Sequence, residues 1–191
     1  EIASDATLKL SGTGTFGSTI DLEGTLEAGA NLTVSGLISV GGDSAAISIP
    51  AAGTTLSKTG GAINVGAHTL SIGGAGAFNF HYWSGLVLDD ADSILNLTGS
   101  GTIQGPVKLE KGTVKSTGSP TISLYGALTY PDPALLADVT IDVATGQTLT
   151  YTNPFENGLS LGANTLTLSG GGTFNNTNAL VLNKADSLLS L

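Results

Sequence analysis

A short unit recurs along this chain and limits what it can fold into: alternating apolar and polar residues, then a glycine cluster, then a bulky apolar residue. It reads ATLKLSGTGTF from Ala6 to Phe16, AHTLSIGGAGAF from Ala67 to Phe78, SILNLTGSGTI from Ser93 to Ile103 and ANTLTLSGGGTF from Ala163 to Phe174. Alternation with period two is strand geometry, with one set of side chains facing a core and the other facing out. The glycine clusters supply the tight corners between strands. A unit this short cannot bury its apolar face alone, so regular repetition predicts stacking of one unit on the next.

A longer repeat lies over the short one. Residues 91–114 align on residues 3–26, so that Leu97 answers Leu10 and Val107 answers Ile20 at an offset of 87 residues. His68 to Phe78 matches Asn164 to Phe174 at an offset of 96, and Gly85 to Leu97 matches Ala179 to Leu191 at 94. The chain therefore divides into long repeats over about 3–90 and 91–184, with a third beginning at Ala185. The reading is one β-solenoid, residues 1–191, as a piece of a longer repeat protein. Strand starts placed near residues 6, 30, 46, 67, 93, 119, 139, 163 and 187 are about 23 residues apart. That spacing suits three strands per coil, and Asn-Gly hairpin signals are nearly absent, the one case being Asn157-Gly158. The expected fold is all-β, a right-handed parallel β-helix of about eight coils.

Composition narrows function by exclusion. Fifteen acids against six basic residues give a formal charge of −9, the reverse of what phosphate neutralisation on nucleic acid requires. Cysteine is absent, which removes disulfides and thiolate metal sites. No stretch approaches the roughly 20 apolar residues of a membrane span.

Strings such as TLTLSGGGTF and TLKLSGTGTF resemble the coils of bacterial β-helical surface proteins, the autotransporter passengers and filamentous-haemagglutinin-type adhesins. The resemblance covers most of the chain but rests on turn chemistry and alternation. It implies an extracellular or cell-surface location and a rod that presents loops to cell-surface glycans or proteins, or that associates with itself head to tail or laterally.

Departures from the repeat mark candidate sites. FNFHYWSG, from Phe78 to Gly85, is longer than its counterpart FNNTNA and adds aromatics. Phe80, His81, Tyr82 and Trp83 are therefore candidate ligand contacts, able to stack on a sugar ring and hydrogen-bond its hydroxyls, with corner packing as the structural alternative. Phe155, in the enlarged YTNPFENG segment, joins them. Asp89, Asp90 and Asp92 stand where the other copy has Asn183, Lys184 and Asp186. Three carboxylates so close could hold Ca²⁺, although their spacing is not that of an EF-hand, and a solvated acidic turn is the preferred reading. Facing Asp43 or Asp142 across a groove, they would suit glycoside cleavage, which needs paired carboxyls. A carbohydrate-active β-helix enzyme, a polysaccharide hydrolase or lyase, is accordingly the alternative. With two histidines and no cysteine, a nucleophilic or zinc mechanism has little support, and no catalytic residue or cofactor is assigned. The expectation is a non-enzymatic structural or adhesive rod. Ice binding through threonine arrays, suggested by the TGT and TLT segments, ranks behind both, because alignment of the copies does not bring those threonines into register.

Overall fold

The computed structural model describes residues 1–81, 85–125, 138–152, 159–177, 179–182 and 184–191. These hold 23 strands and no helix, and every strand pair among the described residues is parallel. No helix among them is long and apolar enough to cross a membrane. A first wall of nine strands runs along the whole chain: Thr7–Leu10, Thr25–Ala28, Ala45–Ile49, Thr69–Gly74, Ile94–Leu97, Gly112–Ser116, Val139–Val143, Thr165–Ser169 and Leu188–Ser190. A second wall holds Gly14–Phe16, Leu32–Val34, Thr55–Lys58, Ala77–Phe80, Thr102–Leu109, Thr121–Tyr125, Thr148–Thr152 and Thr173–Asn176. The third wall is interrupted. It pairs Ile20–Leu22 with Ile38–Val40, Leu86–Leu88 with both Ile63–Asn64 and the end of Thr102–Leu109, and Leu159–Ser160 with Leu180–Val181.

The chain thus visits the three walls in turn and lays each coil on the one before, the expected parallel β-helix. The nine strands of the first wall bound eight coil repeats. Parallel sheets are ordinarily covered on both faces by helices, and their strands then read as continuous apolar runs. Here the coil closes on itself, so one face is the core and the other is open, and the strands keep an alternating sequence. The burial of Ala45–Ile49 alternates accordingly between buried and half-buried.

Two strand positions differ from the sequence reading. The starts placed near residues 30 and 119 fall on the second wall, as Leu32–Val34 and Thr121–Tyr125, and the first wall instead uses Thr25–Ala28 and Gly112–Ser116. Coil length is the reason. Thr7 pairs with Thr25, an offset of 18, and Ile94 with Thr113, an offset of 19, whereas Val139 pairs with Leu166 at 27. A uniform period steps past the first wall in the short coils.

Register stacks like on like inside the rod. Leu8, Leu26, Ile47, Ile72 and Leu97 form one column of the first wall. On the second wall Leu32, Leu56, Phe78, Ile103, Ile122 and Tyr151 form another. All of these except Leu8 are buried, each contributing roughly 1.5 to 3 kcal/mol. In the outermost coils the equivalent residues are only half-buried: Leu8, Leu10 and Phe16 in the first, Leu168, Phe174, Leu180 and Leu189 toward the last.

Corners between the first and second walls are glycine columns. A Cβ on Gly99 would run into the carbonyl oxygen of Gly74, and one on Gly118 into that of Gly99. The same carbonyl of Gly74 accepts hydrogen bonds at 3.0 Å from the backbone N–H groups of Ser100 and Gly101. Backbone packs on backbone there.

Candidate functional site

The residues singled out by the aromatic insertion separate in the structure. Phe80 follows Phe78 by two positions on one strand and so points to the same side. Both rings lie in the core, their centroids 4.5 Å apart, so Phe80 is a packing residue and offers no face to a ligand. His81 is exposed at the end of the strand, where its backbone N–H donates to the Lys58 carbonyl at 2.9 Å. Tyr82, Trp83 and Phe155 lie outside the described residues.

Asp89, Asp90 and Asp92 sit in the turn that leads from the third wall to the first. The backbone N–H of Asp92 donates to Oδ1 of Asp90 at 2.9 Å, and that of Asp90 donates to Oγ of Ser93 at 3.1 Å. The buried Ser93 hydroxyl in turn donates to the Gly66 carbonyl of the preceding coil. The other copy repeats this with lysine in place of Asp90, since the Lys184 N–H donates to Ser187 Oγ at 3.1 Å and Ser187 donates to the Gly162 carbonyl. A serine that staples coil to coil explains the motif. No group of three described His, Asp or Glu side chains is placed to hold a metal ion.

The remaining candidate carboxylates also hold local bonds. Asp43 Oδ1 accepts from the Thr69 N–H and lies 3.3 Å from Nδ1 of His68, both one coil on. Asp138, which the sequence does not single out, accepts at Oδ1 from the Thr165 N–H at 2.7 Å in the same manner. Asp142 stands on the outer face of the first wall, where Ser169 Oγ donates to it at 3.1 Å. Asp43 and Asp138 satisfy strand-start N–H groups that the ladder leaves over.

An inward lysine breaks the apolar alternation of the second wall. In TLSK the inward residues are Leu56 and Lys58, and Lys58 is fully buried between Val34 and Phe80 in register. Its Nζ donates to the Gly61 carbonyl at 3.1 Å, and burial lowers its pKa from the ordinary 10.5. The alternation itself marks this residue, because a lysine two positions after a core leucine shares its face. Between the lowered pKa and 10.5 the unfolded chain holds the extra proton, so stability rises with pH through that window. Lys58→Met is expected to raise the melting temperature by a few degrees at pH 7, with the gain shrinking as pH nears 10.5. Melting curves of both proteins at pH 7 and pH 10 test this; a difference independent of pH counts against a charged lysine in the core.

The outer face of the second wall is the most regular surface of the molecule. Thr15, Thr33, Ser57, Asn79 and Gln104 form one outward column. Thr55, Ala77, Thr102, Thr121, Thr150 and Asn175 form the column beside it. The threonines of this wall are thus in register from coil to coil, against the reading from sequence. Alignment of the long copies compares coils far apart along the rod, and the unequal coil lengths hide the neighbour-to-neighbour match. Strand spacing sets these groups about 4.8 Å apart across the wall, and about 6.6 Å apart along each strand.

None of these positions is ionisable, in a chain of charge −9. By contrast the first wall carries the Lys9–Glu27 ion pair at 2.6 Å, together with Lys115 and Asp142. No aromatic residue occupies the two outward columns. A shallow recess lined by Thr15, Asn31, Thr33, Thr55 and Ser57 opens near one end of the face.

Comparison of the chain with protein-family models, with curated proteins and with solved structures gives no match.

Proposed function

We propose that this chain is a non-enzymatic extracellular rod, structural or adhesive in role, that contacts an extended surface through the outer face of its second wall. The observation that carries the reading is the register of that face: two adjoining columns of uncharged side chains, polar at every position but Ala77, repeated coil after coil. Stacked coils make the array rigid, since each strand is held by neighbours on both sides. A small folded ligand would use one coil, whereas a contact repeated on every coil favours a partner that is itself extended. The resemblance to surface adhesins supports the same role, and of the carboxylates considered for catalysis Asp43, Asp90 and Asp142 each accept a local hydrogen bond.

Adsorption to insoluble surfaces, including bacterial cells, crystalline cellulose, chitin and ice, tests this. Thr121→Lys and Thr150→Lys place charge in the threonine column of the face and are expected to weaken adsorption at least about tenfold, equivalent to about 1.4 kcal/mol. Equal adsorption by the parent and both variants would remove the second wall as the contact surface.

A second reading, head-to-tail association, is favoured by the half-buried inner residues at both ends, among them Leu189, which continues the column of the buried Leu166. These columns fit a further coil, whether of the same polypeptide or of another copy. Sedimentation of the 191-residue chain across a concentration series is expected to show growing species that Leu189→Lys suppresses; a single species at every concentration rules out association between copies.

A further inference from the structure

We infer that the second wall binds ice. The inference rests on the proposed reading of that wall as the contact face and names its partner as the ordered water of a crystal surface. Three observations separate ice from other extended partners. First, the array is two-dimensional and periodic, with about 4.8 Å between coils and about 6.6 Å between the columns, so it presents its groups on a fixed lattice, as a crystal surface does. Second, the face is free of charge while the first wall carries ions of both signs, which fits a neutral lattice and not an ionic polymer. Third, its outward columns hold no aromatic ring, so the stacking by which sugars are gripped is missing, with Phe78 and Phe80 turned into the core.

Threonine is the residue type that such a surface needs. Its hydroxyl anchors one water, its methyl group orders the waters above it, and its branched Cβ holds few rotamers on a strand. Thr102, Thr121 and Thr150 occupy three successive coils in one column and are half-buried, held upright by their neighbours. The array has a visible gap at Ala77, between Thr55 and Thr102. The first wall supplies an internal comparison, since Thr113, Thr140 and Thr167 are also in register but adjoin Lys115 and Asp142.

Thermal hysteresis and ice-crystal shape, measured on the whole chain by nanolitre osmometry, test the inference, with circular dichroism confirming that each variant is folded. The parent is expected to facet ice and to depress its growth temperature. Thr121→Lys is expected to abolish this, Thr140→Lys on the first wall to preserve it, and Ala77→Thr to increase it by filling the gap. Absence of faceting by the parent overturns the inference, as does equal loss in Thr140→Lys. Should the parent ignore ice but adsorb to cellulose or chitin in a manner lost in Thr121→Lys, the partner is a crystalline polysaccharide. Ice binding then falls while the contact face stands. If adsorption to every solid survives Thr121→Lys, both fall.

Discussion

Replacing Gly99 by alanine is expected to cost about 3 kcal/mol, near the upper end of overpacking effects, and to lower the melting temperature by about 6 to 12 °C. Gly99 is not in the left-handed region, so its backbone would suit any residue; what forbids a side chain is the carbonyl of Gly74, against which the new Cβ would be driven. A carbonyl fixed in the ladder cannot rotate away as a side-chain tip does. Relief would have to come from separating two coils at a corner where Gly74, Gly99 and Gly118 stack directly. Gly146 provides the contrast. Its φ is +78° and nothing lies within 4 Å of a Cβ built on it, so Gly146→Ala should cost only the conformational penalty of about 1 to 2 kcal/mol. The two sites also respond oppositely to asparagine, which tolerates the left-handed region and should relieve Gly146 relative to alanine but worsen Gly99. Denaturant unfolding of the four variants separates strain from collision. A Gly99→Ala loss no larger than that at Gly146 would mean that the corner yields, and that the glycine column is dispensable to stacking.

The same distinction shows what could be read from sequence. The alternation TLTL followed by a glycine cluster carries the fold class, because only a closed coil lets parallel strands keep one polar face. It also identifies Leu70, Leu95 and Leu166 as core without any coordinates. It does not carry register, since register depends on coil length, and the coils range from Thr7 pairing with Thr25 to Val139 pairing with Leu166. The ladder Thr102, Thr121, Thr150 therefore stays hidden until the turns between are threaded in space. Phe80 was misplaced for a related reason: the added aromatics in FNFHYWSG drew attention as a group, yet the first belongs to a strand that runs through Phe80 and obeys its alternation. Sequence offers Asp90 as a ligand candidate because two carboxylates stand beside it, but does not show that its Oδ1 accepts from the Asp92 N–H and its own N–H donates to Ser93 Oγ.

Position along the stack should decide what a core residue is worth, and Phe78 and Phe174 measure it with the same side chain at equivalent places in the two copies. Phe78 is buried in mid-rod, between Leu56 and Ile103 in register and against the ring of Phe80. Its replacement by alanine removes a closed volume that neighbouring coils, pinned by their own ladders, cannot collapse to fill, so Phe78→Ala is expected to cost about 3 to 5 kcal/mol. Phe174 is half-buried and meets Tyr151 with ring centroids 6.2 Å apart. Water already reaches its outer side, no sealed cavity forms, and Phe174→Ala should cost about 1.5 kcal/mol. In a solenoid each coil is stabilised chiefly by the two it touches, so an interior defect severs cooperativity between the halves while a terminal one frays the end. Native-state hydrogen exchange distinguishes the cases. In Phe78→Ala, amides of the strands Thr69–Gly74 and Ile94–Leu97 should lose most of their protection, whereas in Phe174→Ala the loss should stay within Thr165–Ser169 and Leu188–Ser190. Comparable costs at the two positions would contradict the nearest-neighbour picture, and with it the description of this chain as a rod whose rigidity grows inward from its ends.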